Sequence, residues 1–276
     1  MRAGRLQTRR YRVRKIRRRV LILLILLLGA GAYLAVRSGA LPVPSLIALR
    51  PAATLSPEET AARERVLSLP GGHWYALETG AYESAASASQ AAESLRGRGG
   101  AGYVPPGTGQ VLAAAYPSRA DAQKVQTQLK ENHGMDTAQA EILWPEIHLK
   151  IAGQKTQLDA MADGCAALYQ LPEQLYALSS GLDQRTLEPA AAREALASQR
   201  STLTSLCAAL DARFDRSAPE AVGRLKRALS SLSDVLLSAQ GASGSVRLGG
   251  QIKYCQLAAL CLCRDISGLL SGQLTD

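Results

Sequence analysis

Apolar and polar positions follow three rhythms along the chain. Val20 to Val36 is a run of seventeen residues without a charge, bracketed by Arg19 and Arg37. As a helix it would span about 26 Å, the short end of a bilayer crossing. The bracketing arginines can snorkel to lengthen the fit. From 72 to 151 short apolar runs alternate with one-sided stretches. Trp74–Thr79 predicts a strand ended by Gly80, and Glu83–Arg96 a helix with Ala88, Ala91, Ala92 and Leu95 on one side. Gly102–Val104 and Gln110–Ala114 predict two further strands. A second helix is expected over Arg119–Asn132, capped by Ser118, with Ala122, Val125 and Leu129 inward and His133-Gly134 as its stop. Ala140–Trp144, continued past Pro145 to Ile151, completes a β-α-β-β-α-β order. Two helices cover one face of so small a sheet and leave the other open to solvent.

From 152 to 276 the apolar steps change to three and four. Helices are expected over Thr156–Ser180, bent or broken at Pro172, and over Glu188–Phe214. A third starts at the Ser217-Ala218-Pro219-Glu220 capping box, and a fourth covers Val246–Ser271. Stripes such as Val222, Leu225, Leu229, Leu232 and Leu236 bury against partner helices, and the short connections predict an antiparallel bundle. Between the apolar run and the sheet, 37–71 reads as a linker punctuated by Pro42, Pro44 and Pro51. Ser56-Pro57-Glu58-Glu59 starts a short helix there, expected to reach Leu69 before Pro70-Gly71-Gly72 stops it.

Inside the α/β segment the chain repeats itself. Ala81, Tyr82, Ser84, Ala86, Ala88 and Leu95 recur, at a constant offset of 34, as Ala115, Tyr116, Ser118, Ala120, Ala122 and Leu129. An apolar run precedes each copy, so each copy is one strand, one turn and one helix.

Charge changes the picture at one end only. The net charge is +9, but ten of the 32 Lys and Arg lie in residues 1–19, and the rest of the chain sums to −1. A nucleic-acid partner would need bases spread over a folded surface among aromatics, and a lone Tyr11 accompanies these. The tail instead reads as a cytoplasmic flank: bases before the apolar run and Arg37 alone just after it orient the N-terminus inward. The competing reading of 20–36 is a cleaved signal peptide; the long tail and the span favour an uncleaved anchor. The expected layout is thus a basic cytoplasmic tail (1–19), a transmembrane helix (20–36), a linker (37–71), the repeated domain (72–151) and a helical bundle (152–276).

Chemistry-bearing patterns are few. Cys165, Cys207, Cys255, Cys261 and Cys263 form no CxxC and lie far in sequence from His73, His133 and His148, so neither a metal site nor a cofactor is expected, and the thiols read as core residues. GxSxG, HExxH and GxxxxGK[ST] are absent, and the expectation is a non-enzyme.

The strand-Gly-aromatic phrase Tyr75-Ala-Leu-Glu-Thr-Gly-Ala-Tyr82, the Ser-x-x-x-Ala helix start, and their echo at Val111–Ala122 make His73 to about Trp144 resemble the SPOR (sporulation-related repeat) domain of bacterial envelope proteins. The layout of tail, span, spacer and domain is similar too. The resemblance implies a ferredoxin-like domain that binds peptidoglycan glycan strands, denuded ones above all, in cell division or sporulation. Strand alternation sets Trp74, Ala76 and Glu78 on one face and Tyr75 and Leu77 on the other. With Gln110 from the second strand and Trp144 as a sugar platform from the last, the expected glycan site is Trp74, Glu78, Gln110 and Trp144. Glu78 stands where the family usually has Gln, and Ala114 where the second repeat commonly has Gly. The alternative is a membrane scaffold whose α/β domain has lost its sugar site and whose region 152–276 binds a partner protein.

Overall fold

The computed structural model describes residues 62–214 and 219–272. The basic tail, the Val20–Val36 span, the linker prolines, the Ser56–Glu59 helix start and Ser217 lie outside the described residues. No helix among the described residues is long and apolar enough to cross a membrane.

The elements run β1 (Ala62–Leu69), β2 (Gly72–Ala81), α1 (Ala85–Gly97), β3 (Gln110–Tyr116), α2 (Arg119–His133), β4 (Ala138–Trp144), β5 (Ile147–Gln154), α3 (Lys155–Asp183), α4 (Pro189–Arg213), α5 (Glu220–Gln240) and α6 (Ser245–Gly272). The two repeat strands, β2 and β3, lie side by side and antiparallel, with β4 antiparallel on the other edge of β2. Each repeat then turns into its helix the same way. Ser84 and Ser118 sit in extended backbone and accept from the Ser87 and Asp121 amides at 3.1 and 3.0 Å. Such a cap contributes about 1 kcal/mol. Gly134, left-handed at φ 61°, stops α2 as its sequence position predicts.

The strand expected at Gly102–Val104 shrinks to one bridge, Tyr103 to Leu112, on the outer edge of β3. Gly102 at φ 53° is not extended, and Pro105-Pro106 cannot donate to a ladder. The loop instead presses on α1: a Cβ at Gly102 would collide with the Ala92 carbonyl oxygen.

Two further expectations are corrected. Residues 62–69 are a strand, not the end of a helix. Leu67 and Leu69 are buried while Val66 and Ser68 face out, a period of two, and β1 pairs with β5 from Ala62 opposite Gln154 to Leu69 opposite Ile147. The capping signal upstream is local; the pairing that decides the conformation joins segments about eighty residues apart. Pro145 also does more than interrupt the last strand. It divides β4, which stays in the three-stranded sheet, from β5, which leaves to form a two-stranded ribbon with β1.

Helices α3 to α6 begin and end within a few residues of their expected bounds. Pro172 does not break α3, which runs unbroken from Lys155 to Asp183 with Pro172 buried between Leu171 and Leu175. Packing on both sides offsets the lost amide bond.

The largest departure concerns the sheet's second face. On one side Leu77, Val111 and Ala113 pack against Ala88, Ala92, Leu95 and Ala122 of α1 and α2. On the other, Trp74, Ala76, Leu112, Ala115, Ile142 and Trp144 share one core with Leu168, Leu171 and Leu175 of α3 and Ile252 and Ala259 of α6. The face expected to be open is covered by the bundle. Two indoles at 150–250 Å² each, transferred at about 25 cal/mol per Å², contribute roughly 4–6 kcal/mol apiece as an upper bound. That drive favours closure over solvent exposure.

Candidate functional site

The four side chains expected to meet a glycan separate into two pairs. Trp74 and Trp144 are each 5% exposed. Trp74 meets Tyr176 of α3 edge-on, centroids 5.9 Å apart. Trp144 tilts against Tyr169 at 6.3 Å, and its indole Nε1–H donates to the Pro70 carbonyl at 2.9 Å. Gly72 lies flat on that indole, where any Cβ would collide with the ring. Both tryptophans are therefore core residues, Trp144 rather than a sugar platform and Trp74 rather than a glycan contact: their rings pack on α3, and the Trp144 donor is already satisfied.

Glu78 and Gln110 form the second pair. Both are half-buried, and the Gln110 Nε2 donates to a Glu78 carboxylate oxygen at 3.2 Å. Past Leu77 the β2–β3 register slips twice, so Glu78 pairs with Leu112, Gly80 with Val111, and Ala81 with Gln110. Thr79 uses its hydroxyl to hold the irregular stretch, donating to the Val111 carbonyl at 3.2 Å. The slip places the two polar side chains across from each other at the end of the sheet. The structure thus joins Glu78 to Gln110 but separates both from the indoles.

A cleft of about 480 Å³ opens elsewhere, where the end of α1, α2 and the final residues of β3 meet α3 and α6. Tyr116 and Tyr176 stand in its wall with ring centroids 6.2 Å apart, nearly perpendicular. Burial, then the nearby Asp183, holds the Tyr116 phenol well above its ordinary pKa; burial, then Asp121, raises that of Tyr176. Both are neutral hydroxyls at any physiological pH. Lys253 crosses the bundle side, 2.8 Å from an Asp183 oxygen and donating to the Gly99 carbonyl at 3.1 Å. Sequence reasoning missed this cleft. Tyr116 was visible as the repeat partner of Tyr82, but Tyr176 is one more apolar residue of a long helix until the bundle folds back on the sheet.

No group of three or more His, Cys, Asp or Glu side chains that could hold a metal occurs among the described residues. The five cysteines are free, and burial raises Cys165 and Cys255 to about 12, keeping both as thiols.

Comparison with known families places a SPOR domain over residues 75–139, from Tyr75 in β2 to Gln139 in β4, about a quarter of the chain. Neither the curated proteins nor the solved structures contain a match. The SPOR domain is a binding module for peptidoglycan, so the match supports a general peptidoglycan-binding role for this segment.

Proposed function

We propose that this SPOR-domain protein is a non-catalytic envelope component that binds peptidoglycan glycan strands, in particular strands stripped of stem peptides, from beyond the cytoplasmic membrane. The observation that carries this reading is the match at 75–139, which falls on the tandem repeat and on the strands and helices that the repeat builds. In this reading Val20–Val36 is a single-pass anchor, residues 1–19 stay in the cytoplasm, and the compact unit from 62 onward is held outside. Division or sporulation septa, where amidases generate denuded strands, are the settings proposed.

Of the expected contacts, Glu78 and Gln110 remain available to solvent, and we assign them to the hydroxyls of the sugar. A carboxylate paired to an amide offers acceptors on one side and a donor on the other, which suits vicinal hydroxyls. Trp74 and Trp144 take no part while the bundle is docked. The scaffold reading is weaker, because the apolar stripes that motivated a partner protein pack inside this chain's own core.

The test is sedimentation of the full chain, purified in detergent, with cell-wall sacculi before and after amidase digestion. Retention on digested sacculi, reduced by Glu78→Ala with Gln110→Ala, is the expected result. A chain that stays in the supernatant with both kinds of sacculus overturns the reading.

A further inference from the structure

We infer that the cleft between α2, β3 and the bundle is a saccharide site, and that it takes a short stretch of glycan carrying a carboxylated sugar. The inference rests on the peptidoglycan reading above and adds a place and a chemistry to it. It differs from the sheet face, which the bundle covers.

Size comes first. At about 480 Å³ the cleft falls within the range of about 300–1,000 Å³ in which small-ligand sites lie, and it sits where two structural layers meet, a common location for such sites. A mono- or disaccharide fits that range; a folded peptide does not.

The wall chemistry comes second. Pyranose rings present apolar C–H faces and a rim of hydroxyls. Tyr116 and Tyr176 line the cleft half-buried with their rings nearly perpendicular, and their hydroxyls make no hydrogen bond among the described residues. Held neutral by burial, each phenol can both donate and accept. A narrow annex of about 40 Å³ leads on from the cleft, sharing Tyr116, Tyr176, Asp183 and Lys253 with it, and Gln256 lines it. Gln256 is 1% exposed. Its Nε2 donates to the Ala115 carbonyl at 3.2 Å, where β3 outruns its short neighbour, but its Oε1 is buried without a partner. An unmet buried acceptor costs about 1–3 kcal/mol, so this oxygen is a place for a hydroxyl donor.

Charge comes third. Arg98 and Lys124 line the cleft, are exposed, and make no ion pair among the described residues. Lys253 is already paired with Asp183. Asp121 lines the same cleft and likewise has no ion pair among the described residues, so Arg98, Lys124 and Lys253 stand against Asp121 and Asp183. The one cation in excess matches a carboxylate on the ligand, as a lactyl-bearing amino sugar supplies. A neutral glycan would leave it unused.

The experiment pairs a soluble probe with the polymer. The full chain in detergent is titrated calorimetrically with the disaccharide of N-acetylglucosamine and N-acetylmuramic acid, and separately with chitobiose, which lacks the carboxylate. The acidic disaccharide should bind about tenfold more tightly than chitobiose. Arg98→Ala with Lys124→Ala, both on the surface, should remove most of that difference. Tyr116→Phe with Tyr176→Phe, which keeps both rings, should weaken both ligands. Equal binding of the two disaccharides, or binding unmoved by both double variants, overturns the cleft. If digested sacculi still retain the wild-type chain in that case, the peptidoglycan reading stands and the polymer is held elsewhere. If the wild-type chain binds neither sacculi nor disaccharide, both fall.

Discussion

The two faces of the three-stranded sheet are built from different materials. The face toward α1 and α2 meets small residues: Ala113 packs with Ala88, Ala92 and Ala122, and Leu77 and Val111 fill the spaces between. The face toward the bundle is aromatic, with Trp74 and Trp144 against Tyr176 and Tyr169. Small side chains let helices that follow directly from the strands lie close to them. Large rings fill the wider, less regular gap between a sheet and the helices α3 and α6 that arrive from elsewhere in the chain. The lesson concerns how aromatics on a strand are read. On a sheet face without a partner they mark a ligand platform. Here they mark the seam where one part of the molecule is glued to another.

If the seam is a true core, breaking it is the costliest change. Trp74→Ala should destabilise the chain by about 3–5 kcal/mol, read from the urea midpoint of the full protein in mild detergent. Sheet and bundle should still melt in one transition, because one cluster of buried residues spans both. Two separate transitions in the wild type would show that the seam is weaker than its burial implies. A milder change sharpens the same point within the bundle. Tyr169 shares a buried hydrogen bond with Ser267 at 2.6 Å, the contact that ties α3 to α6 beneath Trp144. Tyr169→Phe leaves the Ser267 hydroxyl without that partner and should cost about 1–3 kcal/mol by the same measurement. On the small-residue face the smallest effect is expected: Ser118→Ala removes the α2 cap and should cost about 1 kcal/mol, with the bundle's contacts untouched.

Legibility in the sequence followed the range of the interaction. The tandem repeat, its Ser118 cap, the Gly134 stop and the four long helices depend on residues within a turn or two of one another, and the structure has them where their patterns place them. β1 was misread because a capping signal at 56–59 is visible locally, whereas its pairing with β5 is not. The site divided along the same line. Glu78 and Gln110 could be set on strand faces by alternation; that they meet depends on the register slips past Leu77. The cleft could not be found, since Tyr116, Lys124 and Tyr176 come from three elements whose juxtaposition depends on how the bundle docks.

The chain's own patterns carried periodicity and local chemistry: most of the strands and helices of the repeat and the bundle, a phrase repeated at an offset of 34 within one SPOR-like segment, and stripes that must be buried. What each stripe is buried against depends on how distant segments pack. An amphipathic pattern states that a face leaves water, because apolar transfer is non-directional and roughly proportional to area. It carries no address. Trp74 and Trp144 satisfy that demand equally well on a sugar or on α3, and it was the fold that chose α3.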